Sequence, residues 1–141
     1  MNSKVKRAFD AEASVTLRNA ADGAETASAA EAAVALSALN KAYWDNDELA
    51  YGKLHVNIHV EAADLADTDE TYDLAVEVAD DSGFTTNVVE ICSISVPGPG
   101  YYMVPVDADT AKDLGNTPTH IRVNATLGGT SPSITYGCWI D

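Results

Sequence analysis

Three histidines, two cysteines and a large excess of acids are the residues of this chain that could do chemistry, and their spacing decides which chemistry is open to them. His55 and His59 stand four apart, a chelating spacing on a helix but not on a strand, where four residues span roughly 13 Å and one ion offers bonds of about 2 Å. The residues between them alternate apolar and polar, so a strand is expected and no metal. His120 has no partner nearby in sequence. Asp64, Asp67, Asp69 and Glu70 supply oxygens a calcium ion could use, yet they lack the Asp-x-Asp-x-Asp-Gly spacing and a nearby glycine for the sharp turn. They are read as a solvated turn, as are Asp45-Asn46-Asp47-Glu48 and Asp80-Asp81. Cys92 and Cys138 have no C-x-x-C companion and no local histidine, so they are read as buried small apolar residues, with their pairing left open. A reducing compartment fits that reading. No Gly-x-Ser-x-Gly is present, and Pro97-Gly98-Pro99-Gly100 lacks the Lys-Ser or Lys-Thr and the helix that would make it cradle a phosphate. The Asn124-Ala125-Thr126 sequon is short enough to occur by chance and is given no function. No cofactor and no catalysis are expected.

The charge narrows the partners. In 141 residues there are 22 acids and 8 basic residues, a net charge of −14. Nucleic-acid binding works by lysine and arginine neutralising phosphates, so a nucleic-acid partner is not expected. Lys4, Lys6 and Arg7 stand in a first stretch of nine residues without an acid, leaving 22 acids against five cations in the rest. A basic arm, 1–9, is thus followed by an acidic body, 10–141. The arm is either a solvated terminus or a segment that docks on an acidic surface. No apolar stretch follows it, so neither a signal peptide nor a membrane span is expected.

The elements that position these residues are strands. Leu54, Val56, Ile58 and Val60 alternate with His55, Asn57, His59 and Glu61, and Tyr72, Leu74, Val76 and Val78 alternate with Asp73, Ala75, Glu77 and Ala79. Further β-rich runs cover 88–96, 101–106, 119–127 and 133–140. Ala13, Val15 and Leu17 alternate with Glu12, Ser14, Thr16 and Arg18, giving a strand near the start. The 97–100 break must be a connection, because two prolines remove ladder donors. The 128–132 break is expected to be a hairpin loop joining the last two strands. A one-turn helix is expected near 109–115, capped by Asp109 and ended by Gly115. In 27–39 the alanines favour a helix by propensity, but Val34, Leu36 and Leu39 make no helical stripe, so a short strand near 33–38 is preferred. The whole predicts an all-β, antiparallel β-sandwich, jelly-roll-like, with about eight strands in one domain.

Aromatic pairs stand at element ends: Tyr43-Trp44, Tyr101-Tyr102, and Tyr136 with Trp139. Tyrosine and tryptophan in such places serve either as packing or as interface anchors. In the order of its strands and turns the chain resembles the capsid cement, or decoration, proteins of tailed bacteriophages, in their podovirus-type jelly-roll form. The resemblance rests on Phe9-Asp10-Ala11-Glu12-Ala13 running into a strand, on Leu54-His55-Val56-Asn57-Ile58-His59-Val60-Glu61, on Asp69-Glu70-Thr71-Tyr72-Asp73-Leu74, and on the closing strands 121–126 and 134–140. It covers most of the chain as a matter of order and style.

The resemblance implies a virion protein, made in the host cytoplasm, that binds the outside of the capsid and bridges copies of the major capsid protein. It also implies self-association, commonly as a homotrimer, with the termini on the shell. Lys4, Lys6, Arg7 and Phe9 would then be shell contacts, and Tyr43, Trp44, Tyr101 and Tyr102 contacts to a neighbouring copy or partner. A carbohydrate-binding or adhesin-like sandwich is the competing reading. It draws on the same aromatics.

Overall fold

A computed structural model describes residues 15–36, 53–107 and 118–140 of the chain. The expected arm at 1–9 and the expected helical turn at 109–115 lie outside the described residues. Within them the alternation becomes nine strands: β1 (Val15–Arg18), β2 (Ala29–Ala30), β3 (Val34–Ala35), β4 (Lys53–Ala63), β5 (Thr71–Ala79), β6 (Val89–Ser95), β7 (Gly100–Asp107), β8 (His120–Gly128) and β9 (Ile134–Ile140). A three-residue 3-10 turn, Ala20–Asp22, follows β1 and is capped by Asn19. One antiparallel sheet has the order β1-β9-β4-β7, and the other has β2-β8-β5-β6 with β3 also on β8. β2 and β3 run in sequence along the same strand, Ala29 opposite Ala125 and Val34 opposite Ile121. Counted as one interrupted strand they leave eight, in the orders 1-8-3-6 and 2-7-4-5. That is the jelly-roll arrangement.

The two sheets meet through the inward members of each alternation. Val56, Ile58 and Val60 of β4 and Tyr136, Cys138 and Ile140 of β9 pack against Leu74, Val76 and Val78 of β5 and Ile121, Val123 and Ala125 of β8, all buried. Each such aliphatic side chain contributes roughly 1.5–3 kcal/mol by leaving water. Tyr72 is buried as well, and its hydroxyl donates to the Asp64 carbonyl (2.6 Å) while accepting the Ser133 N–H (3.0 Å), so one phenol ties two loops. Cys92 and Cys138 are both free. Burial pushes the Cys92 thiol up to about 11 and the Cys138 thiol up as well, which suppresses the reactive thiolate at neutral pH.

Two sequence expectations change here. The 128–132 break is not a hairpin, because β8 and β9 belong to different sheets and the loop carries the chain across the sandwich. Glycine and proline mark where a ladder stops; which sheet the chain enters next is set by where the apolar face finds a partner. Arg18, expected on the outward side of its strand with Thr16, is only 3% exposed. A register irregularity between Thr16 and Arg18 in the pairing with β9 breaks the alternation at that point. Its guanidinium donates to Glu31 (2.6 Å), Glu25 (2.8 Å), and the carbonyls of Tyr136 (2.9 Å) and Gly23 (3.0 Å), and it lies 4.5 Å from the Tyr136 ring centroid. Thus β1 holds the strap that leads to β2. In 27–36 the alanines form the short strands β2 and β3 rather than a helix, since β8 offers an open edge and Leu36 a place in the core.

β5 and β6 are joined by a hairpin loop organised by Asp81. Its carboxylate accepts from the backbone N–H groups of Thr86 (2.8 Å), Thr85 (3.0 Å) and Gly83 (3.1 Å) and from the Thr85 hydroxyl (2.9 Å). These bonds, the Thr86 amide first among them, hold the carboxyl below its ordinary 3.8. A carboxyl depressed in the folded state adds stability that is complete above its unfolded value and fades as the pH falls through its folded value. Asp81→Ala is therefore expected to lower the melting temperature at pH 7, with the gap to wild type closing below about pH 3.8. A gap that stays constant from pH 7 to pH 3 would remove the carboxylate from this role.

Candidate functional site

A sandwich has two outer faces, and here they differ in chemistry. On the β2-β8-β5-β6 sheet ionic and polar outward side chains engage one another. Arg122 pairs with Glu77 (2.9 Å) and lies 4.1 Å from the Phe84 ring centroid, Asn124 donates to the same Glu77 (3.2 Å), and Ser95 donates to Asp73.

The outer face of the β1-β9-β4-β7 sheet is built from other types. The pairing of β4 with β7 sets His59 opposite Tyr101, Asn57 opposite Met103 and His55 opposite Pro105. On the other side of β4, Trp139 of β9 stands between Asn57 and Thr16 of β1. Tyr101 lies flat on His59, with ring centroids 4.2 Å apart and planes 8° from parallel. Trp139 meets the same tyrosine edge to face at 6.3 Å and 83°. Such aromatic contacts add about 0.5–1.5 kcal/mol beyond the area they bury and fix the tyrosine in place. Tyr101 and Met103 are nevertheless 65% and 66% exposed, the most exposed large apolar groups among the described residues. The Trp139 indole N–H is buried and makes no hydrogen bond. Among the described side chains of this face, the rows from His55 to His59 and from Tyr101 to Pro105 hold no carboxylate; Glu61 stands beyond them, at a bulge in β4.

The sequence-selected residues distribute unevenly over this geometry. Lys4, Lys6, Arg7, Phe9, Tyr43 and Trp44 lie outside the described residues. Tyr101 and Tyr102 are adjacent on β7 and so point to opposite sides. Tyr101 presents its ring outward. Tyr102 packs half-buried against the core and its hydroxyl donates to the Gly98 carbonyl (2.6 Å), closing the Pro97–Gly100 connection, so its role is structural. His55 and His59 are on a strand and face outward along it, as the alternation requires. Among the members of the face not selected from sequence are Met103, which parity with Tyr101 would have supplied, and His59 as the floor of an aromatic stack. Among the described residues no group of three or more His, Cys, Asp or Glu could hold a metal ion.

What this arrangement can do is bury area. A sheet face with a fixed tyrosine, a flexible methionine and few ionic groups offers dispersion and aromatic contact to another large surface. No family model, curated protein or solved structure matches the chain.

Proposed function

We propose that this chain is a structural protein of a tailed-bacteriophage particle, one that seats on the outer surface of the capsid and bridges neighbouring copies of the major capsid protein without catalysing a reaction. The observation that carries the reading is the open aromatic face. Tyr101 and Met103 are exposed on a sheet face, where apolar groups leave water by packing against another macromolecule, a shell subunit or a neighbouring copy. The jelly roll agrees with it, as a fold that viral capsid and lectin domains share, although fold alone assigns no function. So does the resemblance along most of the chain. In this proposal the basic residues Lys4, Lys6 and Arg7, with Phe9, meet the shell, and many symmetric contacts on one particle make modest single affinities sufficient.

Quantitative mass spectrometry of purified particles tests it directly. A ratio to the major capsid protein approaching one to one is expected, while absence from the particle would end the proposal. Deleting residues 1–7 is expected to weaken shell binding at low salt; unchanged binding would remove the arm from the contact.

A second reading has one observation in its favour. Tyr101 stacks on His59 yet stays 65% exposed, so its ring can carry a sugar ring, as in carbohydrate-binding sandwiches. Glycan binding that is lost in Tyr101→Ala, together with absence from particles, would favour that reading.

A further inference from the structure

We infer that the outer face of the β1-β9-β4-β7 sheet is where two copies of this chain meet, face to face about a two-fold axis. The argument is one of charge. A protein of net charge −14 would recognise a basic partner by setting carboxylates against its cations, and carboxylates are plentiful elsewhere on its surface. Among the described side chains the middle rows of this face leave them out: His55, Asn57, His59, Tyr101, Met103, Pro105, Trp139 and Thr16 carry no negative charge. Omitting them forfeits attraction to a basic partner. It is what an equally acidic partner requires, and a second copy is the partner whose charge is equal by construction.

The geometry narrows this to the isologous arrangement. In a head-to-tail contact the neutral face would meet a different surface of the neighbour, and the other outer face of the sandwich bears Asp73, Glu77 and Glu90. Of the two described outer faces, only the pairing of this one with itself sets carboxylate-free rows on both sides of the joint. Two such sheets pack at about 10 Å with their side chains interdigitated, which seats Met103 and Tyr101 of each copy among the aromatic groups of the other. The patch is modest. Four strands about 4.8 Å apart over some five residues of about 3.3 Å make roughly 300 Å² in plan, well below the roughly 800 Å² per partner of a standard interface, so the association is weak. Repulsion between the acidic bodies weakens it further at low salt.

Sedimentation equilibrium of the full chain decides the matter, over concentrations from about 5 to about 500 µM. The expected result is a monomer–dimer equilibrium that tightens severalfold between about 50 mM and 0.5 M salt, as screening removes the repulsion. Met103→Asp is expected to weaken the dimer at least about tenfold, and Tyr101→Ser to weaken it as well, because these are the most exposed large apolar side chains of the patch. Met103 is largely exposed, so Met103→Asp keeps a melting temperature near wild type and its loss is one of association, whereas Tyr101→Ser also forfeits the ring contacts with His59 and Trp139 and is expected to melt somewhat lower. Ser93→Asp, on the outer face of the other sheet, is expected to leave the dimer unchanged. A chain that remains monomeric throughout, a trimer, or a dimer indifferent to Met103→Asp would each overturn the inference. Particle abundance is a separate question: a dimer absent from particles would retain this inference and end the virion reading, and an abundant virion protein that is monomeric in solution would do the reverse.

Discussion

Replacing Arg18 by methionine is expected to cost about 3 kcal/mol of folding stability, the range measured when one member of a buried ion pair is removed. Methionine replaces most of the aliphatic volume, so the loss isolates the guanidinium. Burial opposes the arginine's charge, but hydrogen bonds to Glu25 and Glu31 outweigh that and raise its pKa further. Its side chain is 1% exposed, whereas the two glutamates are 26% and 18% exposed and can recover part of their hydration in the variant. That recovery keeps the expected cost at the lower end of the range. The carbonyls of Tyr136 and Gly23 lose their donors at the same time, at about 1 kcal/mol each. Arg18→Lys is expected to fall between the two, because an ammonium cannot reach the glutamates and the carbonyls in the same fork. Urea unfolding of the three proteins checks this. A loss below about 1 kcal/mol for Arg18→Met would mean that desolvation of the arginine nearly cancels its bonds.

Gly129→Ala is expected to destabilise by a similar amount, about 3 kcal/mol, through backbone strain and backbone collision together. Gly129 has φ +93°, and a Cβ there would stand 2.5 Å from the Asp69 carbonyl oxygen and 2.7 Å from its carbon and from Glu70 Cα. None of these is the end of a flexible side chain. The 69–70 segment would have to move, and with it the Asp69 carboxylate that accepts from the Thr130 N–H (3.1 Å) and hydroxyl (3.0 Å). Gly23 supplies the control. Its φ is +97° and nothing lies within 4 Å of where a Cβ would stand, so Gly23→Ala carries the strain without the collision and should cost only about 1 kcal/mol. Thermal or urea unfolding of both variants separates the two effects; equal costs would show that the collision relaxes.

The strands were legible where alternation ran unbroken. His55 to Glu61 and Tyr72 to Val78 name their own inward and outward sides and the structure keeps them, while Ala79, expected outward, is buried at the strand end. Arg18 was not legible, because a single register irregularity reverses the parity on which its outward placement depended. The 128–132 loop was recognised as a break but not as a crossing, since turn residues carry no information about the next strand's partner. Helix propensity in 27–36 was overridden by pairing with β8, a strand some ninety residues later. The candidate site was half visible. Tyr101 stood out as an aromatic at an element end, but its stack on His59 depends on a register that joins residues 42 positions apart. No local pattern contains that register.

The connectivity also sets an order of assembly. Of the consecutive described strands only β5 and β6 pair with each other as a local hairpin, and most other contacts join distant parts of the chain. Such topologies fold in roughly milliseconds to seconds, because long loops must close before contacts stabilise them. β9, the last of these strands to leave a ribosome, is an interior strand that lies between β1 and β4. Until it arrives, β1 has no partner in its sheet and β4 is open along one edge. The nascent chain therefore passes through a period in which it can be captured by other chains, and its acidic composition keeps such copies apart until the final strand closes the sheet.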